Sequence, residues 1–206
     1  MKVFFKEIEL TRFGKHTVRI ANTSTPAECN TEGFSQTACG FVVEFEDIIT
    51  IHVMNSDYKF VGGWEASDMR SYVNSDIYNA FPSDLKGLII NTKVVSGHED
   101  GVESNYVTTD KLYLLATAEI WENGTSDTIT YDTARDLTRQ LDYYEGVTTN
   151  NYSKAIKTSD GSNDYWWLRS AYFEHANTFC YVTDIGNWDY DGAGGEFGVS
   201  AAFRIG

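Results

Sequence analysis

The sequence predicts an α+β fold, and three observations carry that expectation. Apolar and polar residues alternate over 41–53, apolar residues recur at helical spacing over 65–81 and again over 132–144, and the chain closes on an apolar run over 199–205. At 206 residues it is long enough to bury a core without covalent help. Its hydrophobic share of 42% and aromatic share of 15% lie far from the composition of a disordered chain.

The elements follow in order. Residues 17–60 read as strand-rich: Phe41, Val43 and Phe45 alternate with Val42, Glu44 and Glu46, and Ile49, Ile51 and Val53 alternate with Thr50 and His52. Glu46 and Asp47 are the expected turn between the two. The polar stretch 22–36, with Thr25 before Pro26, reads as a loop. Beyond Gly62 and Gly63 the period changes to helical, with Met69, Val73, Ile77 and Ala80 on one face. Asn74 and Ser75 are expected to break this stretch into two helices, with Ser75 capping the second. Pro82 marks the exit. Strands are expected over 88–95 and 111–115, separated by polar residues 96–104. A third helix, 132–144, carries Ala134, Leu137, Leu141 and Tyr144 on one stripe and stops at Gly146.

Charge and motifs exclude several functions. Sixteen Lys and Arg against thirty Asp and Glu leave a net charge of −14, which repels phosphate backbones and anionic headgroups, so neither nucleic acid nor membrane is an expected partner. No apolar run is long enough for a membrane span, and the three apolar residues before Lys6 are too few for an export signal. The glycines at 192, 194 and 195 miss the dinucleotide fingerprint because Phe stands at 197. His16, His52, His98 and His175 are scattered without zinc-ligand spacing. Cys29, Cys39 and Cys180 read as idle or buried thiols, with a Cys29–Cys39 bridge as the alternative in an oxidising compartment. Asp184, Asn187, Asp189, Asp191 and Glu196 supply oxygen donors of the kind calcium takes, but not at the spacing of a calcium loop. The expectation is a solvated acidic loop and no cofactor, with calcium as the alternative.

What remains is a surface. Tyr and Trp give large rigid contact area, and Asn, Ser, Gly and Asp give adaptable hydrogen bonds, which is the chemistry of antibody paratopes. Residues 172–197 have that composition. The candidate ligand-binding residues are Tyr172, Phe173, His175, Asn177, Thr178, Tyr181, Thr183, Asp184, Ile185, Asp189, Tyr190, Asp191 and Phe197. An ordinary aromatic core with polar loops is the competing reading, because cores and interfaces share Tyr and Trp.

Four blocks in order carry a resemblance: GGWEASDMRSYVNSDIYNAFPSDL from Gly62, DKLYLLATAEIW from Asp110, YWWLRSA from Tyr165 and GVSAAFRIG from Gly198. The chain resembles the bacterial and phage DUF6273 family over residues 62–206, although Ser200 and Ala201 replace the usual Arg and Pro of the last block. The resemblance implies a C-type-lectin-like fold: two main helices on a small, mostly antiparallel twisted sheet, with a long irregular loop region. It makes Trp166, Trp167 and Leu168 core, and Arg169 a charged fork holding the base of the loops. Residues 1–60 would then be a strand-rich segment, either part of the same domain or an attachment to a larger assembly.

The tail also resembles the variable proteins of diversity-generating retroelements, in which mutable adenine-rich codons lie just upstream of an invariant last strand. Glu174, Trp188 and Glu196 depart from the residues such codons produce. The implied function is non-enzymatic: a diversified surface, on a virion or bacterial cell surface, that contacts a protein or glycan, with oligomerisation open. A calcium-assisted carbohydrate-binding module is one alternative. A relative of the formylglycine-generating enzymes, which need a second cysteine beside Cys180, is the other.

Overall fold

The computed structural model describes residues 5–57, 62–97, 104–122, 135–172 and 177–206. It is a mixed α+β protein with mostly antiparallel sheets and few, short helices. The chain opens on a hairpin, β1 (Phe5–Leu10) and β2 (Gly14–Asn22), in register from Phe5 opposite Arg19 to Leu10 opposite Gly14. Strand β3 (Val42–Phe45) pairs with β2 and is buried along its whole length, so its alternation of apolar and polar residues does not mark a solvent face. Glu44 is 1% exposed because its face of the sheet is covered in turn by Arg19, Tyr144 and Lys157.

The turn expected at Glu46 and Asp47 does not close a hairpin. Strand β4 (Thr50–Val53) leaves for a second sheet, where it pairs with β13 (Glu196–Val199). With β7 (Tyr113–Leu114) and β14 (Ala201–Arg204), the first sheet runs β1-β2-β3-β14-β7. The second contains β10 (Trp166–Ala171), β11 (Thr178–Val182) and β12 (Trp188–Gly192), in the order β12-β11-β10-β13-β4. Its β10–β13 pairing is parallel. Two small hairpins, β5 (Thr92–Ser96) with β6 (Tyr106–Asp110) and β8 (Lys157–Ser159) with β9 (Ser162–Asp164), complete the strands described. The strand expected over 88–95 is therefore shorter and later, and that over 111–115 is reduced to two residues preceded by β6.

The helical stretch keeps its apolar face but breaks elsewhere. Helix α1 (Gly63–Ala66) ends at Ser67, whose hydroxyl accepts from the Arg70 amide at 3.0 Å and caps α2 (Asp68–Tyr72). The chain then continues through a π turn, Val73–Ile77, into α3 (Tyr78–Ala80) without a stop at Asn74 or Ser75. Asn74 is a clamp instead: its carbonyl oxygen accepts from the Lys111 and Leu112 amides, and its amide donates to the Leu112 carbonyl at 2.8 Å. Ser75 donates to the Ser71 carbonyl and caps nothing. Met69, Val73, Ile77 and Ala80 all lie in the core, as the periodicity predicts. A short α4 (Ser83–Lys86) follows Pro82.

Of the expected third helix, Arg135 is helical, but the helix does not run on to Tyr144. Residues 132–134 lie outside the described residues. From Arg135 on, Leu137 sits at φ 44° and is exposed, and the chain runs extended into a 3₁₀ turn at Asp142–Tyr144. The cause is a competing partner: Glu119 takes the Thr138 hydroxyl at 2.9 Å, and its backbone carbonyl takes the Leu141 amide at 3.0 Å. Leu141 and Tyr144 still reach the core.

One core joins the elements. Phe45, Phe81 and Phe203 meet edge to face at 5.4–6.4 Å between the first sheet and the helical stretch. Strand β10 is buried on both faces, and the indole N–H groups of Trp166 and Trp167 are satisfied by the Ala155 and His52 carbonyls. Gly198 lets β13 approach it: a Cβ there would lie 2.7 Å from the Tyr165 carbonyl and from the Ile48 side chain. In the loop 22–36, Cys29 is bonded to Cys39, which corrects the reading of these two as idle thiols. Cys180 is buried in β11.

Candidate functional site

Strand alternation decides which residues of the tail can share a face. Tyr181 on β11 lies opposite Asp189 on β12 and Trp167 on β10, and Phe197 on β13 lies opposite His52 on β4. Two paired rows, Asp189–Tyr181–Trp167 and Phe197–His52, thus lie on the second sheet, joined diagonally by the Trp167 and Phe197 rings at 4.7 Å, and His52 stacks on Tyr72 at 4.1 Å. Tyr165, two residues before Trp167, joins the same side. Its ring centroid is 5.8 Å from those of both Tyr181 and Phe197, and Tyr181 and Phe197 are 4.5 Å apart. Trp167 is buried beneath them, while Tyr165 is 37% exposed and Tyr181 and Phe197 are half-buried.

Two carboxylates edge this cluster. Asp189 accepts the Tyr181 hydroxyl and the Tyr190 amide, and Asp191 accepts the Gly192 amide. Partial burial first, then Asp189 and Asp191, push the Tyr181 phenol well above its ordinary value. Gly195 occupies the gap between Asp191 and Phe197, where a Cβ would stand 3.3 Å from each.

The residues expected from sequence divide. Asn177, Ile185, Asp189, Tyr190 and Asp191 are exposed; Tyr181, Thr183, Asp184 and Phe197 are half-buried; Tyr172 and Thr178 are buried. Phe173 and His175 lie outside the described residues. Tyr172 is stacked flat against Tyr190 at 3.8 Å. Thr183 organises the hairpin tip, its hydroxyl accepting the Asn187 amide and its carbonyl the Gly186 amide. Gly186, at φ 89°, is required there because a Cβ would collide with the Tyr152 carbonyl. The tip presents Ile185 to solvent. Sequence reasoning missed Tyr165, Trp167, His52 and Tyr72 as neighbours of this face. The odd-numbered spacing of Tyr165 and Trp167 was the available signal.

Two residues beyond Trp167, the same strand carries a buried ionic fork. The Arg169 guanidinium donates to both oxygens of Glu119, each at 2.7 Å, and also to the Leu114 carbonyl and the Thr37 hydroxyl. Arg169 thus has the structural role that the resemblance implied, tying β10 to α5 (Thr117–Ile120) and to the disulfide loop. Its charge is stabilised against burial by Glu119.

Among the described residues, no three His, Cys, Asp or Glu side chains gather as a metal site would require. Cys29 and Cys39 are spent on each other rather than placed beside Cys180. No helix of the described residues is long and apolar enough to cross a membrane.

Comparison with curated proteins and with solved structures returns no match. Residues 42–206, well over half of the chain and beginning at the first residue of β3, match the domain of unknown function DUF6273, and the chain belongs to that family.

Proposed function

We propose that this protein is a non-enzymatic ligand-binding domain that presents the end of its second sheet to a target on a cell surface. The observation that carries this reading is the partly exposed cluster of Tyr165, Tyr181 and Phe197, edged by Asp189 and Asp191 and anchored on buried Trp167. Rigid aromatic side chains beside adaptable polar groups give contact area at low entropic cost. The frame around the hairpin is fully buried over 166–171 and 199–203, so side chains at 177, 185, 189, 190 and 191 can vary without entering the core. That division suits a diversified surface on a C-type-lectin-like scaffold, of phage, prophage or host origin. The Cys29–Cys39 bond favours display outside a reducing cytosol, on a virion or a bacterial surface.

Flow cytometry of the labelled protein on a panel of bacterial cells tests the proposal. Saturable binding is expected, with loss in the combined variant Ile185→Ser, Asp189→Asn, Asp191→Asn at unchanged thermal stability. Binding that is indifferent to those substitutions, or no binding to any cell, overturns the reading. A companion test is genomic: a reverse transcriptase gene and a near-copy of the 3′ coding sequence differing at adenines belong to the diversification claim and are absent if it is wrong.

A further inference from the structure

We infer, resting on the reading of this face as a binding surface, that its occupant is a basic protein segment whose Arg or Lys side chains lie on the Tyr165, Tyr181 and Phe197 rings and pair with Asp189 and Asp191. Between Arg169 and Arg204 the sequence contains no Lys or Arg and five acidic residues, Glu174, Asp184, Asp189, Asp191 and Glu196. Among the described residues, neither Asp189 nor Asp191 forms an ion pair, whereas other carboxylates of the chain do: Glu7, Glu44, Asp76, Asp110, Glu119 and Asp142.

The rings show the same contrast. Elsewhere this protein covers its aromatic faces with its own cations, Arg19 at 3.8 Å and Lys154 at 5.7 Å over Tyr143, and Lys157 at 4.7 Å over Trp166. No cation among the described residues stands over Tyr165, Tyr181 or Phe197. Ring faces and carboxylates left together without a cation are complementary to a guanidinium or ammonium from another chain, and a net charge of −14 steers such a partner inward. Ring geometry weighs against a sugar. A pyranose stacks on a flat exposed face, but Tyr165 and Tyr181 meet at 70°, Tyr181 and Phe197 at 34°, and Trp167 lies buried below.

The probe is fluorescein-labelled nona-arginine, titrated by anisotropy against the full chain at about 150 mM salt, where long-range attraction is largely screened. The variant Asp189→Asn, Asp191→Asn should weaken binding about tenfold and Tyr165→Ala severalfold, as loss of close charge pairs and of a ring contact requires. The control Glu28→Gln, Glu32→Gln removes the same charge from an exposed loop on the far side of the sequence and should change affinity less than about twofold. Equal losses in the face variant and the control mean diffuse attraction to an acidic protein, and overturn the inference. So does absence of saturable binding. A glycan array separates this failure from failure of the parent reading: a glycan whose binding is lost in Tyr165→Ala but kept in Asp189→Asn, Asp191→Asn leaves the face as a binding surface and makes the ligand class wrong.

Discussion

Lys157 is the residue whose replacement tests the physics of this core most directly. Its ammonium is completely buried, 2.8 Å from Glu44 Oε2, donating also to the Phe45 carbonyl and lying over the Trp166 ring. The same carboxylate already takes the Arg19 guanidinium at 2.9 Å, so two cations share one anion in a buried site. Burial first, and then repulsion from Arg19, outweigh the attraction of Glu44 and lower the Lys157 pKa to about 8. Glu44 shows the converse: burial opposes its charge, but Arg19 and Lys157 prevail and hold it below its ordinary value. Between about 8 and the ordinary 10.5 of the unfolded chain, the native state binds fewer protons than the unfolded one, so stability rises with pH across that window. The whole difference corresponds to about 3 kcal/mol, of which about 2 kcal/mol falls between pH 7 and pH 9.5. Lys157→Met keeps most of the volume and removes the titration. Denaturant unfolding of both proteins from pH 7 to 9.5 should therefore show the native chain gaining about 2 kcal/mol on the variant, because the remaining groups titrate in both. A difference that stays flat, or falls, would falsify the account of an over-subscribed carboxylate.

Three further perturbations probe other parts of the fold. Replacing Cys29 and Cys39 together by Ser opens a loop with a sequence separation of 10, and should cost about 3 kcal/mol in denaturant unfolding on the chain-entropy account; no loss would mean the loop is equally ordered without the bond. Arg169→Met leaves the Glu119 carboxylate buried without its cation and should destabilise by about 3–5 kcal/mol, visible as a large drop in Tm, whereas a shift of a degree or two would refute the tie it makes between β10 and α5. His16 offers Nδ1 to Asp47 and Nε2 to the Phe13 carbonyl, each at 3.1 Å, and two acceptors favour the doubly protonated ring. Burial opposes that charge, but Asp47 and Phe13 outweigh it and raise the pKa above 6.5. The advantage of native protein over His16→Gln should thus be full below pH 6.5 and shrink as pH rises through the raised value, and an advantage that grows with pH contradicts it.

How much of this fold was legible depended on where each residue's partner lies. The face Met69, Val73, Ile77, Ala80 packs along its own helical stretch, and local periodicity found it. Glu44 was legible only as the polar side of an alternating strand, because the groups that bury it, Tyr144 and Lys157, lie 100 and 113 residues away. Once both faces of β3 are covered, the strand has no solvent side, and the hairpin with β4 that alternation suggests gives way to two different sheets. Residues 135–144 carry a sound helical stripe, yet Glu119 offers the backbone and Thr138 better partners than a helix would. Propensity lost there to a tertiary hydrogen bond that no local pattern encodes.

The candidate site teaches a different lesson, about contiguity. A segment read by composition treats each of its residues as surface, but in a strand successive side chains point to opposite faces. Cys180 and Val182 turn into the core, while Tyr181 between them joins the aromatic row. Phe179 has the parity of Tyr181 and is nevertheless buried, so parity is necessary for exposure and not sufficient. The row's other members come from residues 52, 165, 167 and 197, which only sheet order brings together. On the proposed reading, such a surface would vary at the edge strand β12, where Asp189 and Asp191 meet solvent, without disturbing Trp167 beneath. On the same reading, the aromatic rings would supply contact area common to all partners, and the edge would supply the charge that chooses among them.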